Sequence, residues 1–268
     1  MQFRQKALSR LQSPEELDLP VRFARPQGRL VLGVTIVVMA VAAYWALTGS
    51  VSSKLTAGGI LTRAEGSYLL QSPVSGQVTQ VLAREGQVLR AGAPLLKVRT
   101  EQGYRAVRAV EGGRVTSLVA KTGAVVTTGA DVATVERMRD PGEPLVAMVY
   151  VSGGSGAGIS PGARVDLTVQ SAPQEQYGVL RGKVKAVGRA PQSGQQIAGF
   201  LGNPQLAAQF TKGGDPVPVL VELERSAATK SGYRWSSADG PPFRIDSPTP
   251  VTGAVHLTAE RPVDWLLP

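Results

Sequence analysis

The sequence contains no cysteine, a single histidine (His256) and only 5% aromatic residues. Disulfides and thiolate chemistry are therefore excluded, and neither a histidine-based triad nor a multi-histidine metal site can be assembled. Serine is common, but no Gly-x-Ser-x-Gly elbow occurs. The glycine-rich stretch Gly153 to Gly158 lacks the Gly-Lys-Ser/Thr ending whose lysine reaches phosphates, so it reads as a loop. His256 falls in an alternating strand (Ala254, His256, Thr258), as an exposed or hydrogen-bonded ring. Acidic residues are dispersed, and Glu222 and Glu224 read as a solvated strand edge. The expectation is a protein that is not an enzyme and holds no cofactor or metal. The net charge of +9 invites a nucleic-acid reading, but the basic residues are scattered. No recognition helix, zinc spacing or aromatic-basic motif accompanies them, so none is expected. Absence of cysteine suits an extracytoplasmic chain without disulfides as well as a cytosolic one.

The 31 glycines and 19 prolines in 268 residues point to turns and small β modules. Leu30 to Leu47 (LVLGVTIVVMAVAAYWAL) is uncharged and almost wholly apolar. As a helix it spans roughly 27 Å, close to the hydrocarbon thickness of a bilayer. Tyr44 and Trp45 stand at its far end and Arg22, Arg25 and Arg29 before its near end, which orients the N-terminus toward the cytoplasm. A cleaved signal peptide is the competing reading. The long leading tail and the length of the run favour a retained anchor. In residues 1–29, Phe3, Ala7, Leu8 and Leu11 share one helical face, a candidate contact with the inner leaflet or a partner. Ser13-Pro14-Glu15-Glu16 has the form of a capping box.

Between Ser72 and Val135 one pattern is written twice, at a constant offset of about 37 residues. Gly76 falls on Gly113, Val78 on Val115, Gly86 on Gly123, Val88 on Val125, Gly92 on Gly129 and Leu95 on Val132. The apolar runs have strand length, and the glycines stand at turns. A half this short cannot bury its apolar face alone, which predicts two interlocking halves of one sheet module.

The half-motif, Pro-x-Ser-Gly-x-Val followed by Gly-x-Val and a further glycine, resembles biotinyl/lipoyl-type barrel-sandwich domains. In carrier enzymes of that type a modified lysine sits between the halves. Here the junction RTEQGYRAVRA (Arg99 to Ala109) has no lysine. The other large group that this pattern resembles is the HlyD-like membrane fusion proteins, or periplasmic adaptors, which need no modified residue. Downstream, strands are predicted at Leu145 to Val151, Arg164 to Gln170 and Tyr177 to Val187, then at Pro216 to Glu224 and Val251 to Ala259. Ile159, Pro161, Gly162 and Val165, with Tyr177, Gly178, Gly182 and Val184, resemble the β-barrel domain of the same adaptors. Asn203 to Phe210 reads as the one helix of the outer region, capped by Asn203 and opened by Pro204, with Leu206 and Phe210 expected to plug the barrel.

Four stretches are similar to a narrower group, the secretion proteins of NHLM/NHLP-type bacteriocin systems: ALSRLQSPEELD (7–18), GNPQLAAQF (202–210), SGYRWSSADGPP (231–242) and ERPVDWLLP (260–268). The resemblance implies an all-β extracytoplasmic region, a lipoyl-like barrel-sandwich plus a β-barrel, on one transmembrane helix. The expected division is 1–29 cytoplasmic tail, 30–49 transmembrane helix, 50–140 sandwich with its lead-in strand, and 141–268 β-barrel and membrane-proximal domain. It further implies an inner-membrane location with the bulk of the chain periplasmic, an ABC-type peptide exporter as partner, and several copies together. The long α-helical hairpin usual between the halves of such adaptors is missing, which leaves engagement of a TolC-type channel open. The short junction, with Arg99, Arg105 and Arg108, stands as a candidate distal contact surface or a solvated hairpin tip. A membrane-tethered biotinyl/lipoyl carrier and an anchored β module that binds extracellular polymers are the rival functions.

Overall fold

The structure, a computed structural model, describes residues 26–48, 53–140 and 142–258. Phe3, Leu8 and Leu11, the capping box and the C-terminal ERPVDWLLP lie outside the described residues. Helix α1 (Pro26–Thr48) begins four residues earlier than the apolar run predicts. Its stretch Gly28–Thr48 is long and apolar enough to cross a membrane. Leu30, Ile36, Val41 and Trp45 are each more than half exposed. Its two threonine hydroxyls donate back to carbonyls one turn earlier, Thr35 to Val31 and Thr48 to Tyr44, which leaves neither needing water.

The residues from Ser52 to Ala259 form one compact unit holding two β modules. Strands in chain order are β1 (Lys54–Thr62), β2 (Ser67–Gln71), β3 (Gly76–Val81), β4 (Val88–Leu89), β5 (Pro94–Thr100), β6 (Gly103–Arg108), β7 (Gly113–Leu118), β8 (Val125–Val126) and β9 (Asp131–Arg137). They continue as β10 (Val146–Ser152), β11 (Arg164–Val169), β12 (Leu180–Val187), β13 (Pro216–Leu223) and β14 (Thr249–His256).

Strands β2 to β9 make the sandwich, as sheets of order β2-β9-β7-β4 and β6-β5-β3-β8. Each sheet takes strands from both halves of the repeat: β4 pairs with β7, and β8 with β3. The hydrogen bonds are duplicated too. Gly86 N–H donates to Val115 at 2.7 Å and Gly123 N–H to Val78 at 2.8 Å, each across the halves. The core is the repeat seen edge-on, with Val78, Leu95 and Val98 facing Val115, Val132 and Val135, all essentially inaccessible. Neither half is a folding unit, because each closes its edge with the other's shortest strand. The duplication also extends further than the sequence pattern discloses. Strands β2 and β6 occupy equivalent places, so Arg99 to Ala109 is not a junction but a hairpin: the end of β5, a tip at Glu101-Gln102, and β6. Sequence hides this because β2 is mostly buried whereas β6 is exposed at all but one residue.

The second module is a closed barrel of order β1-β10-β13-β12-β11-β14, sealed by the β14–β1 pair. Strand β1, expected as the sandwich's lead-in, is a barrel strand instead. Leu61 points into the barrel core and Ile60 outward, so the strand is buried on both sides near its end and its alternation is masked. Small side chains suit the narrow interior, where Val149, Val165, Leu167, Val219, Val221 and Val255 interdigitate. Gly253 lies among them, where an added Cβ would come within 3.0 Å of Val149.

Helix α2 (Gly194–Leu201) precedes α3 (Pro204–Phe210) and was not expected. It carries a full capping box, Ser193 with Gln196, hidden in a polar stretch too short for a periodic signal. Asn203 caps α3 as predicted, accepting from Leu206 N–H at 3.0 Å. Leu206 and Phe210 do not plug the barrel. With Ile197 and Leu201 they cover the outside of its wall at Ile60, Met148 and Tyr150, and Phe210 stacks on Tyr150 at 4.6 Å. The plug is Trp235 with Ile245, from the turn-rich segment between β13 and β14. Trp235 satisfies its indole N–H on Ser231 at 2.9 Å. Gly153–Gly158 is a 3-10 stretch rather than a plain loop, and the predicted strand start at Tyr177 is a helical turn, Gln174–Tyr177.

The Tyr150 hydroxyl is buried under α3 with no hydrogen-bond partner among the described residues, and burial pushes its pKa well above the usual tyrosine value. Removing a desolvated, unpaired hydroxyl while keeping the ring relieves a cost without opening a cavity. Tyr150→Phe is therefore expected to stabilise the chain by about 1 kcal/mol, read as a higher urea midpoint in detergent.

Candidate functional site

Three places concentrate polar side chains on this frame. The first is the free end of the sandwich. The two-residue tip is held by Thr100, whose hydroxyl donates to Gly103 O at 2.8 Å and accepts from Gln102 N–H at 3.2 Å. A cleft of about 560 Å³ opens beside it, lined by Ser75, Arg99, Thr100, Glu101, Gln102 and Arg105 among others. Arg99 is braced by Gln77 at 3.3 Å. Of the three expected arginines, Arg99 and Arg105 meet at this cleft; Arg108 lies at the far end of β6 and donates to Gly92 O at 2.9 Å. Tyr104 is exposed on β6 with Lys97 Nζ 4.8 Å from its ring centre.

The six repeat glycines build this end and its twin in two different ways. A Cβ on Gly76 or Gly113 would fall well under 3.0 Å from the carbonyl of Arg99 or Glu136, which are themselves equivalent positions of the repeat. Gly86, Gly92, Gly123 and Gly129 instead take φ between +78° and +91° with open space around them, where only the backbone conformation requires glycine.

The second place is the joint between the modules, which sequence reasoning missed. Glu136 is 1% exposed at the end of β9. It accepts from Arg63 Nε at 3.3 Å, from Arg114 at 3.2 Å and from the Ser247 hydroxyl. Arg114 also donates to Ser247 O at 2.8 Å, and Arg63 to Glu143 O at 2.6 Å. One carboxylate thus ties the sandwich (Arg114) to the connection that leaves barrel strand β1 (Arg63) and to the segment before β14 (Ser247). A glutamate beside an arginine at a strand end looks like a solvated pair in sequence; no periodicity marks it as buried. Helix α2 seals the other side, with Gly202 pressed on Ser67 and Thr134.

The third place is on the barrel wall. Asp166 of β11 accepts from Arg181 of β12 and pairs with His256 Nε2 of β14 at 2.9 Å, with Lys54 of β1 at 4.0 Å. The ring of His256 is thus hydrogen-bonded, as its place in the strand predicts. Burial alone pushes the Asp166 carboxyl upward; the hydrogen bonds from His256 and Arg181, with their charges, outweigh it and hold the carboxyl below its ordinary value. A depressed carboxylate contributes stability that is complete above the unfolded pKa and disappears as pH falls through the folded one. Asp166→Asn is expected to be less stable than the parent at neutral pH, with the gap closing below about pH 4, in urea titrations across pH.

Among the described residues no cluster of three metal-ligating side chains occurs. What the geometry offers is surfaces and a rigid joint. No family model and no curated protein matches the chain. Solved structures do. ZneB from Cupriavidus metallidurans is similar over 78% of this chain and 100% of its own, at 11% identity and a TM-score of 0.50. MacA from Actinobacillus actinomycetemcomitans is similar over 80% of this chain and 81% of its own, at 10% identity and a TM-score of 0.51. A MacA-MexA chimera containing the Pseudomonas aeruginosa MexA alpha-hairpin domain gives 11% identity and 0.50 over 80% of this chain. At such identities the likeness is one of fold, and it takes in both β modules together.

Proposed function

We propose that this chain is a membrane-anchored adaptor of an exporter, acting by binding and scaffolding. The observation that carries the reading is the union of a lysine-free sandwich tip with a barrel whose first and last strands, β1 and β14, lie side by side. Lys54 pairs with His256, so the compact unit begins and ends at one end of the barrel, and β1 starts a few residues after a helix able to cross a bilayer. A module tethered at one end and open at the other suits a part that spans the space between a membrane transporter and something beyond it. The resemblance of the half-motif and barrel to HlyD-like adaptors supports the same role.

The finer reading is an ABC-type exporter of a bacteriocin-like ribosomal peptide, in the inner membrane, with the N-terminus cytoplasmic, the β modules periplasmic and several copies together. It is supported by the four stretches that resemble NHLM/NHLP-type secretion proteins, two of which form α3 and the Trp235 plug. ATP hydrolysis and leader cleavage belong to the partner in this scheme. Affinity purification of the full chain from detergent-solubilised membranes is expected to bring down an ABC transporter; a lone monomer in every detergent tried would defeat the proposal. A reporter fused after Pro268 is expected on the extracytoplasmic side. The sandwich fold by itself also suits a biotinyl or lipoyl carrier, but the tip carries Glu101-Gln102. Intact mass decides between them, since an added biotinyl or lipoyl group would establish the carrier.

A further inference from the structure

Beside the Glu136 joint lies a cavity of about 400 Å³, walled by sandwich and barrel residues alike. Its charges do not balance. Arg63, Arg114, Arg225, Lys230 and Arg244 line it, against the carboxylates of Glu143 and Asp246. Arg63 and Arg114 already share the buried Glu136 beneath, and Arg114 also reaches Asp246 at 3.5 Å. Among the described residues Arg225, Lys230 and Arg244 have no ion-pair partner at all.

The hydrogen-bonding inventory leans the same way. Arg114 Nε is buried without a partner among the described residues. The Tyr233 hydroxyl accepts from Leu145 N–H at 2.9 Å, so its own proton is left to donate. Among the described residues Glu143 Oε2 is the one buried acceptor left unpaired here, and its carboxylate is included in the balance above. Unpaired donors on a concave surface with surplus positive charge are the elements of an oxyanion site, since guanidinium forks match phosphate and carboxylate oxygens two at a time.

We propose that this cavity binds a small oxyanion bearing at least two negative charges, phosphate or a compact polycarboxylate. The anion sits between Arg114 of the sandwich and Arg225, Lys230 and Arg244 of the barrel segment, and so locks the two modules together. With Glu136 counted beneath Arg63 and Arg114 the surplus is about two positive charges, so a monovalent ion leaves half of it uncompensated. The site is independent of the exporter reading, because it rests only on residues within the compact unit. Like any ligand that binds only the folded chain, the anion raises the unfolding temperature with concentration.

The test uses the full chain in detergent, titrated calorimetrically and by thermal unfolding with inorganic phosphate and, in a separate arm, citrate. Sodium chloride at matched ionic strength is the reference. Saturable binding of either oxyanion, with a rise in unfolding temperature that chloride does not give, is the expected result; the two arms tell phosphate from carboxylate preference. Lys230→Ser combined with Arg244→Ser, both exposed positions without ion-pair partners, is expected to weaken binding by at least about tenfold while the anion-free unfolding temperature stays unchanged. A response no larger than chloride's, or undiminished binding in the double variant, overturns the proposal.

Discussion

Glu136→Ala is expected to lower the stability of the compact unit by about 3–5 kcal/mol, the scale on which breaking one side of a buried ion pair operates. The carboxylate is the only acceptor that Arg63 Nε has among the described residues, and it anchors Arg114 and Ser247 as well. Removing it leaves two guanidinium groups, with side chains 10% and 20% exposed, facing each other across the joint, Arg63 with no ion-pair partner among the described residues and Arg114 with only the exposed Asp246 at 3.5 Å. Both effects act in the same direction: lost hydrogen bonds and mutual repulsion. Glu136→Gln keeps an acceptor and the volume, and is expected to lose less. Urea unfolding of the detergent-solubilised chain, followed by tryptophan fluorescence, which includes that of Trp235 in the barrel core, measures both. A loss for Glu136→Ala below about 1 kcal/mol would place it with exposed pairs and remove the joint from the list of what holds the modules together.

Gly113→Ala should be nearly as damaging, for a steric reason. The new methyl would fall well under 3.0 Å from the Glu136 carbonyl and 2.9 Å from Val135 Cγ1, both on the neighbouring strand β9. Backbone cannot retreat there without breaking the β7–β9 ladder, so a cost of about 3 kcal/mol or more follows from overpacking. Gly76→Ala meets the same obstacle against Arg99 and Val98, since the two sites are related by the repeat. Gly86→Ala gives the contrast: φ is +82° but no atom stands within 4 Å, so only the conformational penalty of about 1–2 kcal/mol applies. Equal losses at Gly113 and Gly86 would show that close strand approach is not what selects glycine at the first. Because Gly113 and Glu136 are register neighbours of the same ladder, a double variant is not expected to be additive.

How much of this is readable without coordinates depends on the range of the interaction. The membrane-length helix, the outer strands β10, β11, β13 and β14 to within a few residues, and the Asn203 cap follow from composition and spacing within a short window. The duplicated glycine pattern likewise discloses a two-part module, and the absence of lysine at Glu101-Gln102 can be read directly. The candidate arginines were separable only in part. All three belong to the β5–β6 hairpin, but bends and pairing bring Arg99 and Arg105 to one cleft and send Arg108 to Gly92.

Local pattern alone therefore places the membrane-length helix, the capped helix α3 and most of the barrel strands, because φ/ψ preference and apolar alternation act between residues close in the chain; the short helix α2, the turn Gln174–Tyr177 and strand β6 carry too weak a signal to be read that way. Tertiary structure decided the rest. It placed β1 in the barrel, crossed each short strand into the other half's sheet, spread Leu206 and Phe210 over the barrel wall, and buried Glu136 between two arginines. Each of those outcomes depends on residues tens of positions apart meeting in space, where burial and the low dielectric around a paired charge are properties of the assembled neighbours and of no single segment.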